Sequence, residues 1–229
     1  MIMSPRLVVP TELVPPRWSG EFDLYVPETG QPAPVVVLVH GLYQEPPEVT
    51  PRRSEFFRGY AAQLVQRGVA AVTFDHELTG GMRYQEATKT VDRVLTAVRA
   101  RDEVDAERVA VWLFSGSGSL AYPVLAAAKP WLRCVALTYP LLPHEPIPDW
   151  PSQEDAVRGI GDVPVIFTRV TQELPLFAEG QEVFLSSGVP DLTLIEVYGP
   201  HGFDAVAPTE EGVAAVRQAL DLVAGHVAG

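Results

Sequence analysis

The segment Val109-Ala-Val-Trp-Leu-Phe-Ser115-Gly-Ser117-Gly-Ser119 runs six apolar residues straight into serines and glycines. An all-apolar run of this length suits a parallel strand covered on both faces, and the residues from Leu120 read as a helix. A sharp strand-to-helix turn with a serine at its tip is a nucleophile elbow. Its strained backbone needs small neighbours, and the helix start offers free N–H groups to a developing oxyanion. Ser115 directly follows the last strand residue, and Gly116 would supply an oxyanion-hole amide. Register therefore selects Ser115. Local sterics favour Ser117, the alternative nucleophile, because Leu113 stands two residues before Ser115 where a small residue is usual, whereas Ser115 and Ser119 flank Ser117.

Three further segments supply the partners of such a serine. Pro34-Val-Val-Val-Leu-Val-His40-Gly41-Leu42-Tyr43 is a second apolar strand ending in His-Gly, placed where the second oxyanion donor arises, so the N–H of Leu42 is expected to face the same site as that of Gly116. His40 reads as a turn-stabilising residue. After an apolar strand over 192–197, the loop Tyr198-Gly-Pro-His201-Gly-Phe-Asp204 delivers His201, the candidate general base. The chain order serine, acid, histidine then asks for a carboxylate between 115 and 201. Glu173, in the loop after the strand 163–168, is the candidate, with Glu145 and Asp149 as alternatives. Its task would be to fix the histidine tautomer and stabilise the imidazolium.

With these motifs in this order, from about Phe22 to Val223, the chain resembles the α/β-hydrolase superfamily and within it the dienelactone-hydrolase-related group. The resemblance implies an α/β-hydrolase fold: a mainly parallel sheet flanked by helices on both faces, without a large cap domain. It implies hydrolysis of a small carboxylic ester, lactone or thioester through an acyl-enzyme. Dienelactone hydrolases proper carry cysteine at the elbow and aspartate as the acid, so Ser115 and Glu173 are departures. Two other classes of function remain open: a catalytically silent protein of this fold that binds a small molecule or partner, and a cyclase, isomerase or carbon–carbon lyase using the same pocket.

Composition fits one soluble domain of enzyme size. The 229 residues, 47% hydrophobic and 20% charged, are enough for one sizeable core, expected as a single domain over 1–229 whose opening 20 residues form a surface segment. A formal charge of −12 argues against nucleic acid or an anionic membrane as partner and leaves a small-molecule substrate. No signal-peptide core or bilayer-length apolar run is present, so the expected location is cytoplasmic. The single cysteine, Cys134, lies in an apolar strand and reads as a buried hydrophobe. The histidines at 40, 76, 144, 201 and 226 show no short metal-ligand spacing. Neither a metal nor a cofactor is expected, and oligomeric state is left open.

The elements that must position these residues alternate. Strands are expected near 21–26, 35–40, 69–74, 108–114, 134–139, 163–168 and 192–197, with helices near 54–67, 88–100, 118–128, 177–187 and 209–224. In such sheets ligands bind outside the carboxyl ends of the strands. Tyr43, His76, Trp150 and Arg169 fall there and are candidate substrate-pocket residues, and the proline-rich connection carrying Leu142 and Trp150 is expected to roof the pocket.

Overall fold

The computed structural model describes residues 6–229 apart from 80, 128, 144, 146, 148 and 207. Eight strands form one sheet: β1 (Trp18–Ser19), β2 (Asp23–Tyr25), β3 (Ala33–Val39), β4 (Ala70–Thr73), β5 (Val104–Phe114), β6 (Leu132–Thr138), β7 (Val165–Gln172) and β8 (Leu192–Pro200). Their spatial order is β1-β2-β4-β3-β5-β6-β7-β8, antiparallel at β1–β2 and β2–β4 and parallel elsewhere. The helices are α1 (Glu55–Gln66), α2 (Tyr84–Arg99), α3 (Ala121–Ala126), α4 (Gln153–Ile160), α5 (Pro175–Leu185) and α6 (Glu210–Ala228).

The apolar runs form strands because both sides of the sheet are covered. Every residue of β3 and β4 is buried. Val35, Val37 and Val39 pack with α2 and α3 on one face, while Val36 and Leu38 pack with α1 and α6 on the other. This alternation is the period of two that a strand imposes. From β3 the chain steps outward to β4 and then crosses back to β5, so the direction of winding reverses between β3 and β5. Their carboxyl ends carry Gly41 and Ser115, at the position where open α/β sheets bind ligands.

Several boundaries differ from the sequence-based expectation, with consequences for the site. β7 continues to Gln172, so Arg169 lies within the strand and Glu173 directly follows it. β8 continues to Pro200, which makes His201 the next residue. The helix expected near 118–128 is a 3-10 turn, Ser115–Leu120, followed by the short α3, and residue 128 lies outside the described residues. The proline-rich connection contains an unexpected helix, α4. Its start is capped reciprocally: Ser152 Oγ accepts from the Asp155 N–H at 3.1 Å, and Asp155 Oδ2 accepts from the Ser152 N–H at 3.2 Å. Leu142 does not roof a pocket; it is buried in the core. The opening segment is not merely superficial either, since Leu7, Val8 and Val9 are buried with α1 and α6 and residues 18–19 add a strand. Residues 1–5 and His144 lie outside the described residues.

Candidate active site

Ser115 directly follows β5 with φ 52°, one of three non-glycine residues in the left-handed region among those described. A serine held in that conformation is strained, and close packing on both sides maintains it. A Cβ on Gly41 would lie 2.9 Å from the Ser115 Cβ, and a Cβ on Gly116 would lie 2.4 Å from the Leu42 Cβ. At Gly118 a Cβ would come within 2.4 Å of the Pro140 Cβ. Within the elbow the steric demand for small residues therefore falls after the serine, and across from it on Gly41. Leu113, two residues before it, points into the core and obstructs nothing.

Ser117 has another task. It is fully buried, its hydroxyl accepts from the Phe114 N–H at 2.9 Å and lies 2.8 Å from the Val39 carbonyl, which ties the elbow to the end of β3. This removes it as an alternative nucleophile, because a substrate carbonyl cannot reach it.

The Ser115 Oγ lies 2.8 Å from His201 Nε2, and His201 Nδ1 lies 2.9 and 3.1 Å from the two Glu173 carboxylate oxygens. Three separate strand ends thus meet in one hydrogen-bonded line. Glu173 is nearly covered, with 4% of its side chain exposed, while His201 keeps 24%. The carboxylate also accepts from the Leu174 N–H at 2.8 Å, at the start of α5, and from Gln181 Nε2 at 3.3 Å. The imidazole is held between Tyr139 and Phe177, with ring centroids 4.5 and 4.7 Å away. Gly202, at φ 73°, lets the chain turn directly after it.

The loop bearing Leu42 is braced by a stacked pair of histidines. The His40 and His76 rings lie 3.6 Å apart at 4°. His40 Nε2 accepts from the His76 N–H at 3.3 Å, so His40 Nδ1 carries the proton and donates to the Gly41 carbonyl at 2.7 Å. His76 Nδ1 accepts from the Leu78 N–H at 3.3 Å, so its Nε2 donates to the His40 carbonyl at 3.0 Å. All four ring nitrogens are occupied only if both rings are neutral. Burial agrees: it pushes His40 down to about 4 and His76 well below the ordinary histidine value. His76 is therefore a loop brace and not a pocket residue.

Other expectations also need correction. Arg169 forms ion pairs, 2.6 Å from Glu182 and 2.6 Å from Glu196, and lines with Glu173 and Gln181 a cavity of about 300 Å³ that does not include Ser115. Trp150 packs edge-on against Tyr84, at 5.7 Å, and lines a cavity of about 370 Å³ with Tyr122, Pro143 and Glu145 that does not include Ser115. Glu145 thus faces that cavity, Asp149 occupies a left-handed turn at φ 65°, and the carboxylate on His201 is that of Glu173. Tyr43 stays at the edge of the site, its N–H donating to the Leu78 carbonyl at 2.9 Å and its ring edge-on to His40 at 5.7 Å. Cys134 is fully buried, and burial pushes its thiol up to about 12. Sequence reasoning missed Gln181 and Asp204. Their only sequence signals are a polar residue on the covered face of α5 and an acid three residues past the histidine.

A mainly parallel eight-stranded sheet with serine, acid and histidine following β5, β7 and β8 defines the α/β-hydrolase fold. No protein-family model matches the chain, and no curated protein matches it in sequence. Solved structures do resemble it. An esterase of Pyrobaculum calidifontis superposes with a TM-score of 0.67 at 19% identity, covering 99% of this chain and 87% of that one. A Thermogutta terrifontis esterase, phosphonylated by cyclosarin, superposes with a TM-score of 0.66 at 16% identity, covering 93% and 91%. Dipeptidyl peptidase 4 of Porphyromonas gingivalis gives a TM-score of 0.70 at 13% identity, covering 96% of this chain and 36% of the larger one. At these identities the likeness is one of fold.

Proposed function

We propose that this protein is a cytoplasmic serine hydrolase of small, uncharged carboxylic esters, lactones or thioesters, related to the dienelactone hydrolases. The observation that carries the reading is the line Ser115 Oγ, His201 Nε2, His201 Nδ1, Glu173, with links of 2.8 and 2.9 Å. Its starting residue has the strained backbone of a nucleophile elbow.

In this reading His201 Nε2 takes the Ser115 proton as the Oγ bonds to the carbonyl carbon. Glu173 accepts the Nδ1 hydrogen bond, which keeps Nε2 free as the base and stabilises the imidazolium. The N–H groups of Gly116 and Leu42 donate to the oxyanion; their chain segments are in direct contact. His201 then returns its proton to the leaving group. Water, deprotonated by the same nitrogen, releases the acid and restores Ser115. The preference for an uncharged substrate rests on two features: the net charge of −12, and exposed Met82, Leu174 and Val206 on connections at the carboxyl edge with Leu176 in the first turn of α5.

The test needs no guess at the natural substrate. A fluorophosphonate probe is expected to add once, on Ser115, and Ser115→Ala to abolish both the adduct and turnover of p-nitrophenyl acetate. Glu173→Gln is expected to slow turnover by about 10² to 10⁴. No adduct on folded wild-type protein would refute the reading and favour the binding protein considered above.

A further inference from the structure

A second carboxylate lies close to His201 and has no part in the mechanism above. Asp204 is fully buried. Its Oδ1 accepts from the Tyr139 hydroxyl at 2.7 Å and its Oδ2 from the Tyr60 hydroxyl at 2.6 Å, both short enough to be charge-assisted. Its own main-chain carbonyl accepts from the Val8 N–H at 2.8 Å. Four parts of the chain therefore meet on this one residue: the opening segment, α1, the end of β6 and the loop carrying His201.

Tyr139 is the link to the imidazole. Its hydroxyl is on Asp204 while its ring is 4.5 Å from the His201 ring, and its backbone is held at φ 37°, a conformation a tyrosine adopts only when its surroundings enforce it. Removing the buried acid would release the loop and the ring that backs the histidine. It would also remove a negative charge that acts on His201.

We propose that Asp204 is a positioning residue for His201: held by the Tyr60 and Tyr139 hydroxyls, its carboxylate fixes the histidine loop and favours the imidazolium that forms during proton transfer. The inference rests on the reading of His201 as general base. The charged and titratable groups around the cluster are Tyr60 from α1, Tyr139 from the end of β6, and His201 from its own loop, with Tyr43 and Glu173 acting on Tyr139. Among the described residues, no lysine or arginine forms an ion pair with Asp204. Burial raises the carboxyl to about 6, so Asp204 is charged above that pH and neutral below it.

The experiment compares wild type with Asp204→Asn, following the His201 ring by NMR titration and, in parallel, the pH profile of kcat/KM on p-nitrophenyl acetate. Both midpoints are expected to move to lower pH, because the imidazolium loses a nearby anion. The kcat is expected to fall at least tenfold with KM within twofold. Tyr139→Phe keeps the ring against His201 but withdraws one hydroxyl from the acid. It should shift the midpoints in the same direction, and it carries the test if Asp204→Asn does not fold. A folded variant with the wild-type ring titration overturns the inference. If instead the titration shifts in a protein whose wild type lacks esterase activity and takes no probe, the functional reading fails and the coupling of Asp204 to His201 stands.

Discussion

Under the proposed mechanism, Gly116→Ala should disable the oxyanion hole while leaving Ser115, His201 and Glu173 in place. The added Cβ would sit 2.4 Å from the Leu42 Cβ, 2.7 Å from its N and 3.1 Å from its Cα. Carbon atoms rest about 3.5 to 4.0 Å apart, so the two segments must separate by about 1 Å. Backbone as well as side chain is struck, so a rotamer change in Leu42 does not relieve the clash. An oxyanion donor acts at about 2.7 to 3.1 Å, and withdrawing it by about 1 Å forfeits about 10² to 10³ in kcat. That corresponds to about 3 to 4 kcal/mol of transition-state stabilisation. The same strain costs about 1 to 3 kcal/mol of stability, as overpacking does. The assay is steady-state hydrolysis of p-nitrophenyl acetate, run well below the variant's Tm. The kcat should carry the loss and KM should change little, since the hole is engaged only as charge develops. Gly225→Ala is the control: a Cβ there meets nothing within 4 Å. A folded Gly116→Ala enzyme retaining a third of the wild-type kcat would refute the placement of the hole between residues 42 and 116.

Two further outcomes test the supports of the site. His40 prefers to be neutral in the folded state, with its value lowered from 6.5 to about 4, so the unfolded chain binds the extra proton first as pH falls. Stability from this group is therefore full above about pH 6.5 and declines towards pH 4, by about 3 kcal/mol. Asp204, raised to about 6, works the other way, its contribution being lost as pH rises through that value. Urea melts of wild type and His40→Gln from pH 7 to 4.5 separate the two, and an equal pH slope in both proteins would refute the assignment to His40. Ser117→Ala removes a buried hydroxyl that joins the elbow to β3 and should cost about 1 to 3 kcal/mol in the same melts while keeping the probe adduct on Ser115. Loss of the adduct at full stability would reinstate Ser117 as nucleophile.

The amino-acid sequence determined the architecture, because burial on both faces of a parallel sheet writes itself as unbroken apolar runs. β3 and the apolar half of β5 were legible for that reason. So was the chain order serine, acid, histidine. It did not reveal α4, whose eight residues sit among prolines, although the capping pair Ser152 and Asp155 was present as a signal. Periodicity fixes where an element runs but not which way a polar side chain at its end points. That is why Ser117 stood beside Ser115, and Glu145 and Asp149 beside Glu173, as alternatives of the same type: burial against the end of β3 separates Ser117 from Ser115, and the extension of β7 and β8 brings Glu173 and His201 together. His76 fell at the expected edge of the sheet, where the His40 carbonyl and the Leu78 N–H take up both of its ring nitrogens, while Arg169 is drawn into ion pairs with Glu182 and Glu196. Leu113 is the sharpest case. The local rule asked for a small residue before the serine, but the close approaches are made by Leu42 and Pro140, and they fall on Gly116 and Gly118. Contacts between residues far apart in the chain have no signature in any one segment, so the clearance around Ser115 and the buried acid beside His201 were decided only when the sheet was assembled.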